Sequence, residues 1–340
     1  GECYLKHVDE PVRAYRVGPP GPRPVLVPEK EYNTPLQPTI AVIPFTSRSN
    51  TPEHFAIGEL IADGVIGKLA RYPHAKVVAR LSTTALRDRH SDAQAISALN
   101  ADYYLCGTYL MSGNDANAKL ICQAELCDSR EHRILWTERI QGKVGDLFDE
   151  DCQLTQALCQ GLTHALVEKQ VDMVAVQPMP SLRGYTIMLG GVTLMHRASL
   201  VEFDRARMLL EHLCEQYKKR ADPHAWLAKW HVLRFVRMQV SNREQEAALA
   251  MAAVQRALDI NPSSSLALAM KGHVECQLLG DLGAAQISLD SALQVNAHNS
   301  IAWLYKSVIS TENEDHSSAL SECAKANSLS PLDPLSDLYN

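Results

Sequence analysis

Residues 250–262, 285–297 and 319–331 read AMAAVQRALDINP, AQISLDSALQVNA and ALSECAKANSLSP. Stacked in that order, they place Ala250, Ala285 and Ala319 in one column and Ala257, Ala292 and Ala326 in a second, seven residues later. Pro262 and Pro331 close the first and third rows, two units of about 34 residues apart. Small residues recurring at a fixed stride mark places where two helices cross closely. A larger side chain there would cost about 1–3 kcal/mol through overpacking. A proline just past a helix end cannot continue it, so Asn261-Pro262 and Ser330-Pro331 terminate helices, and Gly280-Asp281 supplies a turn between helices. Gly272 and Trp303 take the small-residue and aromatic places of the helix that precedes each row.

This period is that of the tetratricopeptide repeat, a helix pair per unit. Toward the N-terminus, Tyr185–His196 and Leu200–Gln216 predict a first pair, with Ala206 and Leu213 at the small-residue places. Trp226 opens the next pair, although about eight extra residues intervene before Ala250. Residues 181–340 are thus expected to hold three to four units, the last incomplete at Leu338-Tyr339-Asn340. Stacked pairs create a concave face that binds extended or helical partners. The spacing points Leu266, Ala269 and His273 of one unit, and Ile301, Leu304 and Val308 of the next, toward that face. It is largely apolar and suits an amphipathic helix of a partner, or the chain's own α/β part. The alternative is that these six residues pack within the repeat.

Upstream, residues 39–145 alternate in type. TIAVIPF (39–45) is a β-branched strand, and 53–72 carries Phe55, Leu60, Ile61, Val65, Ile66 and Leu69 at helical spacing. A strand at 76–80, a helix at 92–101 and three strands at 102–113, 118–129 and 132–142 follow, with turn residues between the last three. The order β-α-β-α-β-β-β predicts a mixed sheet: parallel pairing through crossover helices first, then an antiparallel meander. Residues 146–180 read as a linking helix, about 146–169, and a connector around VDMVAVQPMPS (171–181). Residues 18–38 hold seven of the 17 prolines and read as a linker. Residues 1–17 look like two short strands, Tyr4 and Leu5 in one and Val12, Tyr15 and Val17 in the other. The expected fold class is α/β, a mixed sheet with helices, followed by an all-α helical repeat domain.

With 46% hydrophobic and 21% charged residues, the 340-residue chain has the profile of a soluble globular protein. A net charge of −6 and a pI near 6.1 argue against a nucleic-acid binder with a strong basic field. From Ser241 onward there are 5 basic and 12 acidic residues, which leaves about +1 for residues 1–240; the acidic part is read as a solvated helical surface. No apolar run approaches the roughly 18–20 residues of a membrane span, and residues 1–20 lack the apolar core of a signal peptide. The chain opens on glycine, so a fragment of a longer protein is expected. The nine cysteines lack a CxxC, and the Cys122/Cys127 spacing suits zinc poorly. They are read as thiols serving as small apolar residues in a reducing cytoplasm.

Chemistry is sparse. There is no GxxxxGK[ST] loop, no GxGxxG after a strand, no HExxH and no GxSxG. His74, His90 and His132 fall near strand ends or turns, where exposed histidines need no special role. Asp149, Glu150 and Asp151 precede a helix, whose N-terminal dipole favours carboxylates, and a metal site there is the sharper alternative. Lys218-Lys219-Arg220 follows a repeat helix, where cations suit the dipole, with phosphate binding as the alternative.

Three segments in order carry a resemblance. GECYLKHVDEPVRAYRV (1–17) resembles the closing strands of a class III adenylate/guanylate cyclase domain, which typically end GE…LK.I..PV.VYRV. TIAVIPF, FAIGELIADGVIGKLAR, ADYYLCGTY and ILWTERIQG resemble the α/β domain akin to the TolB amino-terminal domain, and the repeats with SLSPLDP (328–334) complete the set. The resemblance implies the C-terminal regulatory region of a bacterial cyclase. That family's metal aspartates, purine-selecting residues and transition-state Asn and Arg lie upstream of the closing strands, and none of those motifs occurs here. No catalytic, cofactor-binding or metal residue is therefore expected in this chain; Mg or Mn belongs to the cyclase domain of the parent. The implied partners are a protein or peptide on the repeats, with no nucleic acid and no membrane, and any homodimer forming through the cyclase domain. The implied place is the cytoplasm. The competing expectations are a module of a transcription regulator with an upstream winged helix, and a free-standing repeat scaffold.

Overall fold

A computed structural model describes residues 36–48, 55–72, 74–84, 86, 96, 98–113, 117–149, 152–237, 239 and 242–330, and the backbone of Glu2–Cys3 and Val12–Arg13. Those last two segments, β1 and β2, pair antiparallel with Glu2 opposite Arg13 and Cys3 opposite Val12. The rest of the expected hairpin, with Tyr4, Leu5, Tyr15 and Val17, lies outside the described residues, as does the linker over 18–35. The chain divides into two compact units, over 37–169 and 170–329.

The first unit holds Thr39–Val42 (β3), Thr46–Ser47 (β4), Phe55–Leu69 (α1), Lys76–Val77 (β5), Arg80–Thr84 (α2), Tyr103–Ser112 (β6), Lys119–Asp128 (β7) and Ile134–Lys143 (β8). The strand order is β5-β3-β6-β7-β8, with β4 beside β6. β3 runs parallel to β5 and β6, and β6-β7-β8 form an antiparallel meander. Ile40, Ala41, Val42 and Ile43 are all buried, as a central strand covered on both faces demands. In α1 the buried Ile57, Ile61, Val65 and Leu69 recur every fourth residue and form the stripe that packs on the sheet. At Gly58 a Cβ would collide with the Phe45 carbonyl oxygen, so only glycine permits this approach of helix and strand end.

Two expectations change here. The strand expected over 76–80 stops at Val77, because Arg80 opens α2. Its guanidinium pairs with Asp63 at 2.8 Å and Glu59 at 3.5 Å on α1, and the Thr83 and Thr84 hydroxyls donate to its carbonyl. Most of the helix expected over 92–101 lies outside the described residues, although Ile96 is buried.

Beyond a 3₁₀ turn over Gly145–Phe148, Gln153–Val176 forms α3. The connector read over 171–181 is therefore helical as far as Val176. No glycine or proline intervenes before Pro178, and Val171 and Val174 are buried, Val174 against Gly190. The modest helix penalty of valine yields to that packing.

The helical pairs then follow: Gly184–Leu194 (α4) with Leu200–Gln216 (α5), Asp222–Val236 (α6) with Arg243–Ile260 (α7), Ser265–Val274 (α8) with Leu282–Val295 (α9), and Ser300–Glu312 (α10) with His316–Leu329 (α11). Ser199, Asn242, Ser264, Asp281 and Asn299 cap five of these helices by accepting the backbone N–H three residues on, worth about 1 kcal/mol each. The alanine columns are buried: Ala250, Ala257, Ala285 and Ala292 completely, and Ala319 and Ala326 nearly so. A Cβ on Gly272 would meet Leu289 Cγ at 2.7 Å and the Ala285 oxygen at 3.0 Å, so α8 and α9 cross where the first column predicts close approach. Gly280, at φ +71°, makes the left-handed turn between them. A π-helical turn over Glu275–Leu279 extends α8, and Glu275 there accepts a hydrogen bond from Ser288 and pairs with Lys271. Pro331 lies outside the described residues. The architecture is a mixed sheet with helices followed by a helical repeat.

Candidate partner-binding site

The first helices of the last two pairs, α8 and α10, carry the residues that the sequence points toward a concave face. Ala269, His273, Ile301 and Leu304 are buried, and Leu266 and Val308 are half-buried. His273 stacks on Tyr305 with ring centroids 3.9 Å apart and planes 13° apart. Lys229, only 1% exposed, places its ammonium 5.3 Å from the Trp226 ring and 5.7 Å from that of Tyr305. Successive units are thus joined by a buried seam of rings and one cation. Burial, reinforced by the Lys229 charge, holds the His273 pKa down at about 3, so its imidazole is neutral. Its Nδ1 is buried without a hydrogen-bond partner.

The open surface lies elsewhere in this unit. A groove of about 610 Å³ runs between α5, α6 and α7. Leu227, Leu249, Ala252 and Ala253 give it an apolar strip, and Leu249 is 43% exposed. Arg207, Arg234, Arg256, Asp204 and Glu211 line it with charge, and His224 adds a neutral imidazole. Its back wall is a stack: the Trp230 ring lies 4.8 Å from that of Phe203, its indole N–H donates to the Phe203 carbonyl at 2.8 Å, and the Arg207 and Arg234 guanidinium groups sit 5.7 and 5.5 Å from its centre. Glu246, only 2% exposed, accepts from Arg234 at 2.8 Å and from His231 Nδ1 at 2.8 Å. Burial holds the His231 pKa below its ordinary value despite that carboxylate, so His231 donates as a neutral ring and Arg234–Glu246 is the true ion pair. Arg207 pairs with Glu211 one turn on. Arg256 and His224 make no hydrogen bond or ion pair among the described residues, and burial followed by the Arg256 charge lowers the His224 pKa. The groove therefore offers apolar area, a rigid wall and an unpaired cation at its rim.

The groove was not visible in the sequence, because its cations come from three helices and only the Arg207/Glu211 spacing marks a shared face. The other candidate residues do not converge on it. Arg220 pairs with Asp222 in the turn after α5 that also holds Lys218 and Lys219. Asp149 is exposed, while Glu150 and Asp151 lie outside the described residues. His74 lies edge-on to Tyr72, His132 sits in the β7–β8 turn at φ +51°, and His90 lies outside the described residues.

Comparison with known proteins gives four likenesses. Residues 36–161 match the family described as HilA/YgeH-like transcriptional regulator, second domain. A Rhizobium meliloti (strain 1021) protein named "Putative adenylate cyclase 3" is 22% identical over 275 residues, which make up 78% of this chain and 46% of that protein. The chain thus spans about half the length of this relative. Among solved structures, a thermophilic tetratricopeptide protein from Thermus thermophilus matches at a TM-score of 0.42 and 19% identity, over 54% of this chain and 92% of that one. TolB from Acinetobacter baumannii matches at 0.27 and 17%, over 38% of this chain and 28% of its own. The helix pairs and buried alanine columns, not these scores, carry the repeat assignment. Among the described residues, no helix is long and apolar enough to cross a membrane.

Proposed function

We propose that this chain is the non-catalytic regulatory and protein-interaction region of an adenylate cyclase-like cytoplasmic signalling protein whose parent makes cyclic AMP from ATP. The observation that carries the interaction role is the groove between α5, α6 and α7, where exposed Leu249 and the unpaired Arg256 lie beside a rigid aromatic wall. The ligand is a protein segment that lays apolar side chains on the strip and a carboxylate against Arg256, the mode in which amphipathic helices bind grooves. The cyclase context is supported by the relative from Rhizobium meliloti and by the β1–β2 pairing, which fits the closing strands of a cyclase domain. Mg or Mn would be held by the parent's cyclase domain, and homodimerisation would run through it.

The test has two arms. The purified chain should form no cyclic AMP from ATP with Mg or Mn, and turnover proportional to protein would overturn the non-catalytic reading. The coding sequence upstream of Gly1 should encode paired metal aspartates in a cyclase-like βαβ context. A second reading is favoured by the match over residues 36–161: a module of a transcription regulator. An upstream winged helix would select it.

A further inference from the structure

Cys106, Cys122 and Cys127 belong to the α/β unit, and one thiol pair among them lies where the sequence did not direct attention. Cys122 and Cys127 lie on the same strand but five residues apart, so the alternation of β7 sends them to opposite faces. The antiparallel register instead sets Cys106 of β6 opposite Glu125 of β7, and Tyr104 opposite Cys127. Residues 104, 106, 125 and 127 therefore share one face. There the two Sγ atoms and a Glu125 carboxylate oxygen all lie within 4.8 Å of one another. Cys127 is buried in the cluster with Ile43, Leu86 and Ile96, whereas Cys106 and Glu125 are half-buried, so the donors have rigid backing and a path to solvent. The Tyr104 hydroxyl is hydrogen-bonded to Cys127. The Cys106 and Cys127 thiols are hydrogen-bonded to each other, and Glu125 makes no ion pair with a lysine or arginine among the described residues, so its carboxylate is not committed to a cationic side chain there.

We infer that Cys106, Cys127 and Glu125 form a site for a thiophilic divalent cation of the zinc type, with its fourth position open. Zinc bonds of about 2.3 Å to sulfur and about 2.0 Å to oxygen require tetrahedral edges of roughly 3.3–3.8 Å. The strands already fix the register of the donors, which would have to draw together by roughly 1 Å to reach that spacing. Binding takes one cation, forms two metal–sulfur bonds and one metal–oxygen bond, and releases the two thiol protons to solvent; no electrons are exchanged. The Tyr104 hydroxyl would remain as an outer hydrogen-bond partner of the Cys127 sulfur.

The experiment is a titration of the full, reduced, metal-free chain with Co²⁺, followed by displacement with Zn²⁺. One equivalent should produce a thiolate-to-cobalt charge-transfer band and the intense visible bands of a four-coordinate ion, and calorimetry in two buffers should show release of about two protons. Cys106→Ser and Cys127→Ser should each abolish the charge-transfer intensity, Glu125→Gln should weaken binding at least about tenfold, and Cys122→Ser, on the opposite face, should change nothing. Circular dichroism of every variant separates lost binding from lost folding, and Glu125→Gln, which removes no core atom, carries the test if a cysteine variant unfolds. The inference is overturned if the wild-type chain gives no charge-transfer band, if the bands survive both Cys106→Ser and Cys127→Ser, or if the two thiols form a disulfide and bind no cobalt even when re-reduced.

Discussion

Replacing His273 by phenylalanine should remove much of the acid sensitivity of the helical unit. A histidine is ordinarily half-protonated near pH 6.5, and burial beside Lys229 holds His273 at about 3. The unfolded chain therefore binds a proton below pH 6.5 that the folded chain refuses until about pH 3. The stability contributed by neutral His273 is complete above pH 6.5 and falls by about 1.4 kcal/mol for each unit of acidification below it. From about pH 7.5 to about pH 5 the loss through this one residue is about 2 kcal/mol. Phenylalanine keeps the stack on Tyr305 and has no nitrogen to protonate. At about pH 7.5 it also deletes a buried Nδ1 that lacks a partner, so the variant should be at least as stable as the parent. His212, His224 and His231, whose pKa values burial also lowers, are common to both proteins and cancel in the comparison. The assay is urea unfolding at the two pH values, followed by tryptophan fluorescence, since Trp226, Trp230 and Trp303 all lie in the helical unit. Equal acid losses in the two proteins would refute the reasoning.

Further expectations follow from the same geometry. Gly272→Val should cost about 1–3 kcal/mol through contact with Leu289 and the Ala285 carbonyl, read as a lower urea midpoint of the helical unit. Gly58→Ala should lower the melting temperature of the α/β unit and leave the helical transition in place, since its Cβ would collide with the Phe45 carbonyl; two calorimetric transitions would resolve this. Glu246→Ala should cost about 1–3 kcal/mol, because buried His231 loses its acceptor while the partly exposed Arg234 can turn to water, and denaturant unfolding checks it.

Much of the architecture was legible because its signals are local and periodic. The alanine columns at 250/285/319 and 257/292/326 place the second helices of three pairs, and the last three strands follow from turn residues such as Asp128, whose carboxylate caps the Arg130 and Glu131 N–H groups. Features set by partners distant in sequence were less readable. The helix beyond residue 170 depends on Val174 meeting Gly190, and the early end of β5 depends on Arg80 reaching Asp63. The groove and the Cys106/Glu125/Cys127 cluster depend on helix packing and strand register, which join residues that no spacing pattern relates. His273 is read from the spacing as a candidate for the partner-binding face; its burial against Tyr305 and near Lys229 depends on three separate helix pairs, which no spacing relates.

The most direct test of the central claim replaces Leu249 with a benzoylphenylalanine photocrosslinker in the source cells, with exposed Leu81 of the α/β unit as the control position. The account predicts a discrete protein adduct at Leu249 that is absent at Leu81 and is lost when Arg256→Glu is added. Absence of any adduct at Leu249, an equal adduct at Leu81, or one indifferent to Arg256→Glu would contradict it.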